Sequence, residues 1–145
     1  PEGDRPFLDR LDLSTLEVER LFHSQPPFFE RPSRFINDEC TRFLFLRESV
    51  NDYPNYYVRD LSNDADIQVT FYSNPVTVLG GMHKELITYK REDGLDLSAT
   101  LYLPPGYSTE DGPLPMVMWA YPQNYRSASA AGQISGSPCR FDYMN

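Results

Sequence analysis

The chain has 145 residues, with 13 Lys and Arg against 21 Asp and Glu and a net charge of −8. Its few cations are dispersed, so it has no basic stripe for phosphate, which excludes nucleic acid as a partner. No apolar run approaches the roughly 20 residues of a spanning helix, so no membrane partner is expected.

Thirteen Pro and 8 Gly punctuate short apolar runs, and 10 Tyr and 9 Phe supply large rings. That is a strand-and-turn composition, because aromatics suit a pleated surface and Pro excludes long helices. The start, Pro1-Glu2-Gly3-Asp4-Arg5, is not a signal peptide and lacks an initiator Met. The true start is therefore expected upstream, in a soluble protein that is cytoplasmic or exported by a signal outside this stretch. Cys40 and Cys139 lie far apart, do not form a disulfide framework, and read as free buried thiols.

In chain order, Phe7–Leu13 and Leu16–Phe22 flank Ser14-Thr15 and read with a period of two as a hairpin. A short amphipathic helix over Leu16–Phe22 competes, weakened by Val18 and by its length. Arg42-Phe43-Leu44-Phe45-Leu46-Arg47 is apolar on both faces and suits an inner strand covered on each side. A second strand pair follows, Asn55–Ser62 and Ile67–Tyr72. The triplet Asp12-Leu13-Ser14 recurs at Asp60-Leu61-Ser62, a spacing of about 50 residues, close to one blade of a β-propeller.

The pattern changes near Gly80-Gly81. Leu86–Tyr89 and Leu95–Leu103 flank Lys90–Gly94, whose Asp93-Gly94 marks a hairpin turn. Leu95, Leu97, Ala99, Leu101 and Leu103 share one face, so one side of that strand is expected to meet a core. The run Leu114–Tyr121 is continuously apolar, as in a strand covered on both faces of an α/β sheet.

Residues that carry chemistry are scarce. Gly132-Gln133-Ile134-Ser135-Gly136 has the wrong spacing for a nucleophile elbow. His23 and His83 fall in apparent loops without partners and read as structural. With Cys40 and Cys139 they lack metal-ligand spacing, so neither metal nor cofactor is expected. Glu92-Asp93 and Glu110-Asp111 fit turns, where Asp has an ordinary structural job.

The stretch from Tyr89 to Tyr107, with Asp111–Pro115, Trp119–Pro122, Ala130–Gln133 and Gly136–Pro138, resembles the prolyl oligopeptidase family of serine peptidases, and within it the glutamyl endopeptidase branch. The resemblance implies a mainly β piece of a larger enzyme: residues 1–83 as the C-terminal part of a β-propeller, and 84–145 as the N-terminal part of an α/β-hydrolase domain. It also implies peptide substrates and a functional partner in the remainder of the same polypeptide. In that family a Tyr at this strand's end donates its hydroxyl to the oxyanion, and the matching residue is Tyr121; read without the resemblance, Tyr121 merely closes a buried strand.

The family's Ser, Asp and His come later than any residue present, so this stretch alone is expected to be inactive. Glutamyl specificity requires a basic pocket for the substrate carboxylate, which Arg126 alone does not define. Two rivals remain: a non-catalytic propeller that binds other proteins, and a related aminopeptidase or esterase.

Overall fold

The structure, a computed structural model, describes residues 3–77, 80–120 and 136–141. Within them the chain is mainly β, its strands arranged in three antiparallel sheets with almost no helix. Strands β1 (Phe7–Leu11) and β2 (Val18–His23) form a hairpin. Strands β3 (Phe29–Phe35), β4 (Arg42–Glu48), β5 (Asn55–Asp60) and β6 (Ala65–Gln68) form a four-stranded meander in sequential order. Strands β7 (His83–Lys90) and β8 (Asp96–Leu103) pair as a second hairpin, followed by a short 3-10 turn, Thr109–Asp111.

The first hairpin is real and the competing helix is not. Leu16 sits in the left-handed region at φ 59, which no right-handed helix admits. The repeated triplet makes the same turn twice. Asp12 accepts the Ser14 N–H at 2.8 Å and the Ser14 hydroxyl at 2.6 Å. Asp60 accepts the Ser62 N–H at 3.0 Å and the Ser62 hydroxyl at 2.5 Å. A short carboxylate side chain that captures the next turn's N–H groups is an Asx turn, so the sequence repeat is a repeat of turn chemistry.

Strand β4 is an inner strand, paired with β3 and β5, but it is covered on one face and not on both. Phe43 and Phe45 are buried, 1% and 0% exposed, whereas Leu44 and Leu46 on the opposite face are half-buried. Phe22 of β2 packs on this aromatic face, its ring centroid 5.5 Å from Phe43 and 6.1 Å from Phe45. Leu8, Phe35, Tyr57 and Leu61 complete the cluster, so the first hairpin is fastened to the meander by aromatic packing.

Four further expectations need correction. Leu114–Ala120 is neither strand nor buried: Val117 is 83% and Trp119 74% exposed. An apolar run becomes a buried strand only when a neighbour offers backbone partners and a covering layer, and no described residue does so here. The apolar face of β8 is only half-buried. His23 and His83 close β2 and open β7 instead of lying in loops. Cys40 is free but exposed, at φ 53 in a turn, and Cys139 is free and half-buried.

Candidate functional site

The meander's aromatic face carries a chain of four charges. Register places Arg47 on β4 opposite Glu30 on β3, and Arg59 on β5 opposite Asp66 on β6. Arg47 donates to Glu30 at 2.7 Å through Nε and bridges to Asp66. Arg59 forms a two-pronged pair with Asp66 at 2.7 and 2.8 Å. Both guanidiniums lie over rings: Arg47 over Phe28, Phe45 and Tyr57, and Arg59 over Phe22 and Phe45.

Charge balance follows from this arrangement. Burial works against the Arg47 cation, but the hydrogen bonds it donates to Glu30 and Asp66 outweigh it and raise its pKa above the ordinary arginine value. Burial likewise favours neutral Asp66, yet Arg59 and Arg47 hold its carboxyl below the usual range. Two cations and two anions leave the chain of charges neutral. A cleft of about 440 Å³ opens beside it, lined by Phe28, Arg47, Tyr53, Asn55, Tyr57 and Tyr72 among others.

Asn55 at the cleft is buried and fully used. Its amide donates to the carbonyls of Tyr53 and Tyr72 at 3.1 and 3.0 Å, and its oxygen accepts from the Thr70 hydroxyl and the Tyr72 N–H. It therefore locks the segment after β6 against the start of β5 and has no hydrogen-bonding capacity left for a ligand.

Segment 136–141 crosses the same end of the meander. Its Phe141 N–H donates to buried Glu48 at 2.9 Å, and the Phe141 ring stands edge-on to Tyr53 at 5.2 Å. Arg140 lies 3.8 Å from Glu48, its guanidinium over Phe29.

The residues singled out from sequence do not converge. Tyr121 and Arg126 lie outside the described residues. His23 stacks edge-on with Phe7 at 6.5 Å, and His83 lies 3.6 Å from Glu85 near the surface. Asp93 is held at about 2 by Arg91 and the Leu95 N–H. Asp111 closes a capping box with Ser108. Among the described residues no group of three His, Cys, Asp or Glu is placed to hold a metal ion. The described geometry orients and holds; its serine hydroxyls bonded to carboxylates, Ser14 to Asp12, Ser49 to Asp52 and Ser62 to Asp60, are contacts within turns.

Reading strands one by one missed both the charge chain and Glu48. One signal was available: Arg47 sits on the Phe43 and Phe45 face of β4 by its period of two. A charge on a core face needs a partner.

No family model matches the chain. Its curated relatives are peptidases. It is 38% identical to the probable glutamyl endopeptidase, chloroplastic, of Oryza sativa subsp. japonica over 151 aligned positions, 97% of this chain and 16% of that protein. The protein of the same name in Arabidopsis thaliana matches equally, at 38% over the same extent. The resemblance to glutamyl endopeptidases of the prolyl oligopeptidase family thus holds along nearly the whole chain, which spans 16% of those relatives' length. Among solved structures, a variant of the AtxE2 isopeptidase with Astexin3-dC4 bound aligns at a TM-score of 0.46 and 19% identity, over 70% of this chain and 15% of that one.

Proposed function

We propose that this chain is part of a serine-type peptidase that hydrolyses peptides by acyl transfer, cutting after Glu. The observation that carries the reading is the 38% identity to curated glutamyl endopeptidases along 97% of the chain. In this reading residues 1–83 end a β-propeller and 84–145 begin an α/β-hydrolase domain. The four-stranded meander supports a blade assignment, since a blade is such a sheet and the preceding hairpin packs on its face. The propeller restricts access to a site between the two domains. The nucleophile, base and orienting acid come from the remainder of the polypeptide, and this stretch alone does not hydrolyse peptides.

Tyr121 is the residue this stretch contributes to the chemistry. Its hydroxyl donates to the oxyanion of the tetrahedral intermediate, and one donor aimed at developing charge is worth about 3 kcal/mol in a dry site. The test is Tyr121→Phe in the full-length protein, assayed on peptides carrying Glu or Gln before the scissile bond. We expect a turnover loss of about 100-fold or more with the fold intact, and a preference for Glu in the parent. Turnover within a few-fold of the parent removes Tyr121 from the reaction. Equal cleavage after Gln removes the glutamyl specificity, and a full-length protein that cleaves no peptide supports the binding-module or esterase rival.

A further inference from the structure

Segment 136–141 is bound by three parts of the chain that are distant in sequence. At its start, Asp4 N–H donates to the Gly136 carbonyl at 2.7 Å and Gly136 N–H returns to the Asp4 carboxylate at 2.8 Å. Gly3 makes that approach possible: at φ 68, a Cβ there would lie 2.4 Å from the Gly136 oxygen. At its end, Glu48 of β4 accepts from the Phe141 N–H and faces Arg140, while Tyr53 and Phe29 pack on their side chains. From the other side, the Lys84 ammonium of β7 donates to the Arg140 carbonyl at 3.0 Å.

The segment is therefore a clasp, and Glu48 is its pivot on the meander. A carboxylate at 5% exposure is costly to bury unless its oxygens are used, and here both face segment 136–141. The Arg140 carbonyl extends the connection to β7. Among the described residues the four-stranded sheet and the β7–β8 hairpin share no strand pairing, and the contacts of segment 136–141 connect them.

We propose that Glu48 is a positioning residue: through Phe141, Arg140 and Lys84 it fixes the four-stranded sheet against the β7–β8 hairpin, and so sets the geometry of the site formed between them. The structural half stands on the contacts alone. The consequence for turnover rests on the peptidase reading above. Misplacement of about 1 Å remote from the reacting atoms can slow a positioned reaction by up to about 100-fold, without the residue touching substrate.

The test uses the full-length protein with Glu48→Ala, Glu48→Gln and Arg140→Ala. Gln keeps an acceptor for the Phe141 N–H, whereas Ala removes it. Arg140 is partly exposed, so its substitution leaves the sheet's core intact if Glu48→Ala fails to fold.

Amide exchange is read first, because it does not depend on any activity. The Phe141 amide should exchange about 10- to 100-fold faster in Glu48→Ala, and Gln should restore most of the protection. Arg140→Ala should give an intermediate effect. Unchanged exchange at Phe141 in Glu48→Ala and Arg140→Ala overturns the clasp, whatever the enzyme does.

Peptide turnover is read second. We expect kcat to fall about 10-fold in Glu48→Ala with KM within about twofold, and Gln to recover most of it. Faster exchange with unchanged kcat keeps the clasp and overturns its role in positioning. A parent without peptidase activity overturns the peptidase reading, and with it the role in turnover, and leaves the exchange result to stand or fall alone.

Discussion

The meander β3–β6 pairs with a bulge between Pro32 and Arg34 and the hairpin β7–β8 pairs without one, yet it is the meander that buries more of what it carries. Phe43 and Phe45 are sealed under Phe22, and the charges beside them are matched across strands. In the hairpin, Leu86 is buried, but Ile87 and Tyr89 are exposed and the ion pairs Lys90–Asp96 and Arg91–Asp93 lie in solvent. Exposed pairs of this kind contribute about 0–1 kcal/mol. A strand's alternation shows which face is apolar; whether that face is covered depends on residues far away in the chain.

The largest expected effect tests that contrast directly. Phe45→Ala removes a fully buried ring from a packed aromatic cluster and should cost about 3–5 kcal/mol, from the lost transfer energy plus the cavity left behind. Ile87→Ala on the hairpin should cost under about 1.5 kcal/mol, because its side chain is already partly in water. Urea unfolding with matched slopes reads both. A hairpin cost equal to that of the core would show that the β7–β8 face is covered in the intact protein, and would erase the distinction.

The contrast also explains what was legible in the sequence. Turn chemistry and period two located both hairpins, and a short run apolar on both faces located the interior strand β4, because these signals depend on neighbours within a few residues. Asp93-Gly94 was readable for the same reason, with Gly94 at φ 86. The run Leu114–Ala120 was misread because a continuously apolar stretch defines a buried strand only if something covers it, and composition cannot supply the cover. Glu48 was invisible for a related reason: its partner Phe141 is far along the chain and offers a backbone N–H, which every non-proline residue carries. Tyr121 came from family resemblance, and the described geometry does not reach it.

A middle-sized effect is expected in the charge chain, which has no counterpart in the hairpin. Asp66→Asn keeps the shape but leaves Arg59 without its carboxylate and Arg47 with only Glu30, at a cost of about 2 kcal/mol. The pH dependence has a definite sign. Asp66 has a folded-state pKa below 3.8, so its contribution is fully present above that value and is lost as pH falls through the folded pKa. The parent should therefore lose more stability than Asp66→Asn between about pH 5 and pH 2. Parallel acid unfolding curves for the two would show that these ion pairs add nothing to the sheet's stability.

The smallest effect separates two turns that share one lock. Leu16 follows Asp12 at the same spacing that Asp64 follows Asp60, and both residues occupy the left-handed region, at φ 59 and φ 54. Asp tolerates that conformation, whereas for Leu the Cβ clash costs about 1–2 kcal/mol. Leu16 is 72% exposed, so little burial offsets the strain. The Leu16 N–H bonds the Asp12 carbonyl at 2.8 Å, and Asp12 N–H bonds the Glu17 carbonyl at 2.9 Å, so the backbone is held in this conformation regardless of the side chain. Leu16→Asn should therefore stabilise the protein by about 1 kcal/mol. Leu16→Gly should give only about 0.5 kcal/mol, because glycine also gains freedom in the unfolded chain. Asp64→Leu should move the other way by a similar amount. Thermal melts of the three variants check the ordering; a Leu16→Asn protein no more stable than the parent would mean that Leu16 makes a contact whose loss offsets the relieved strain.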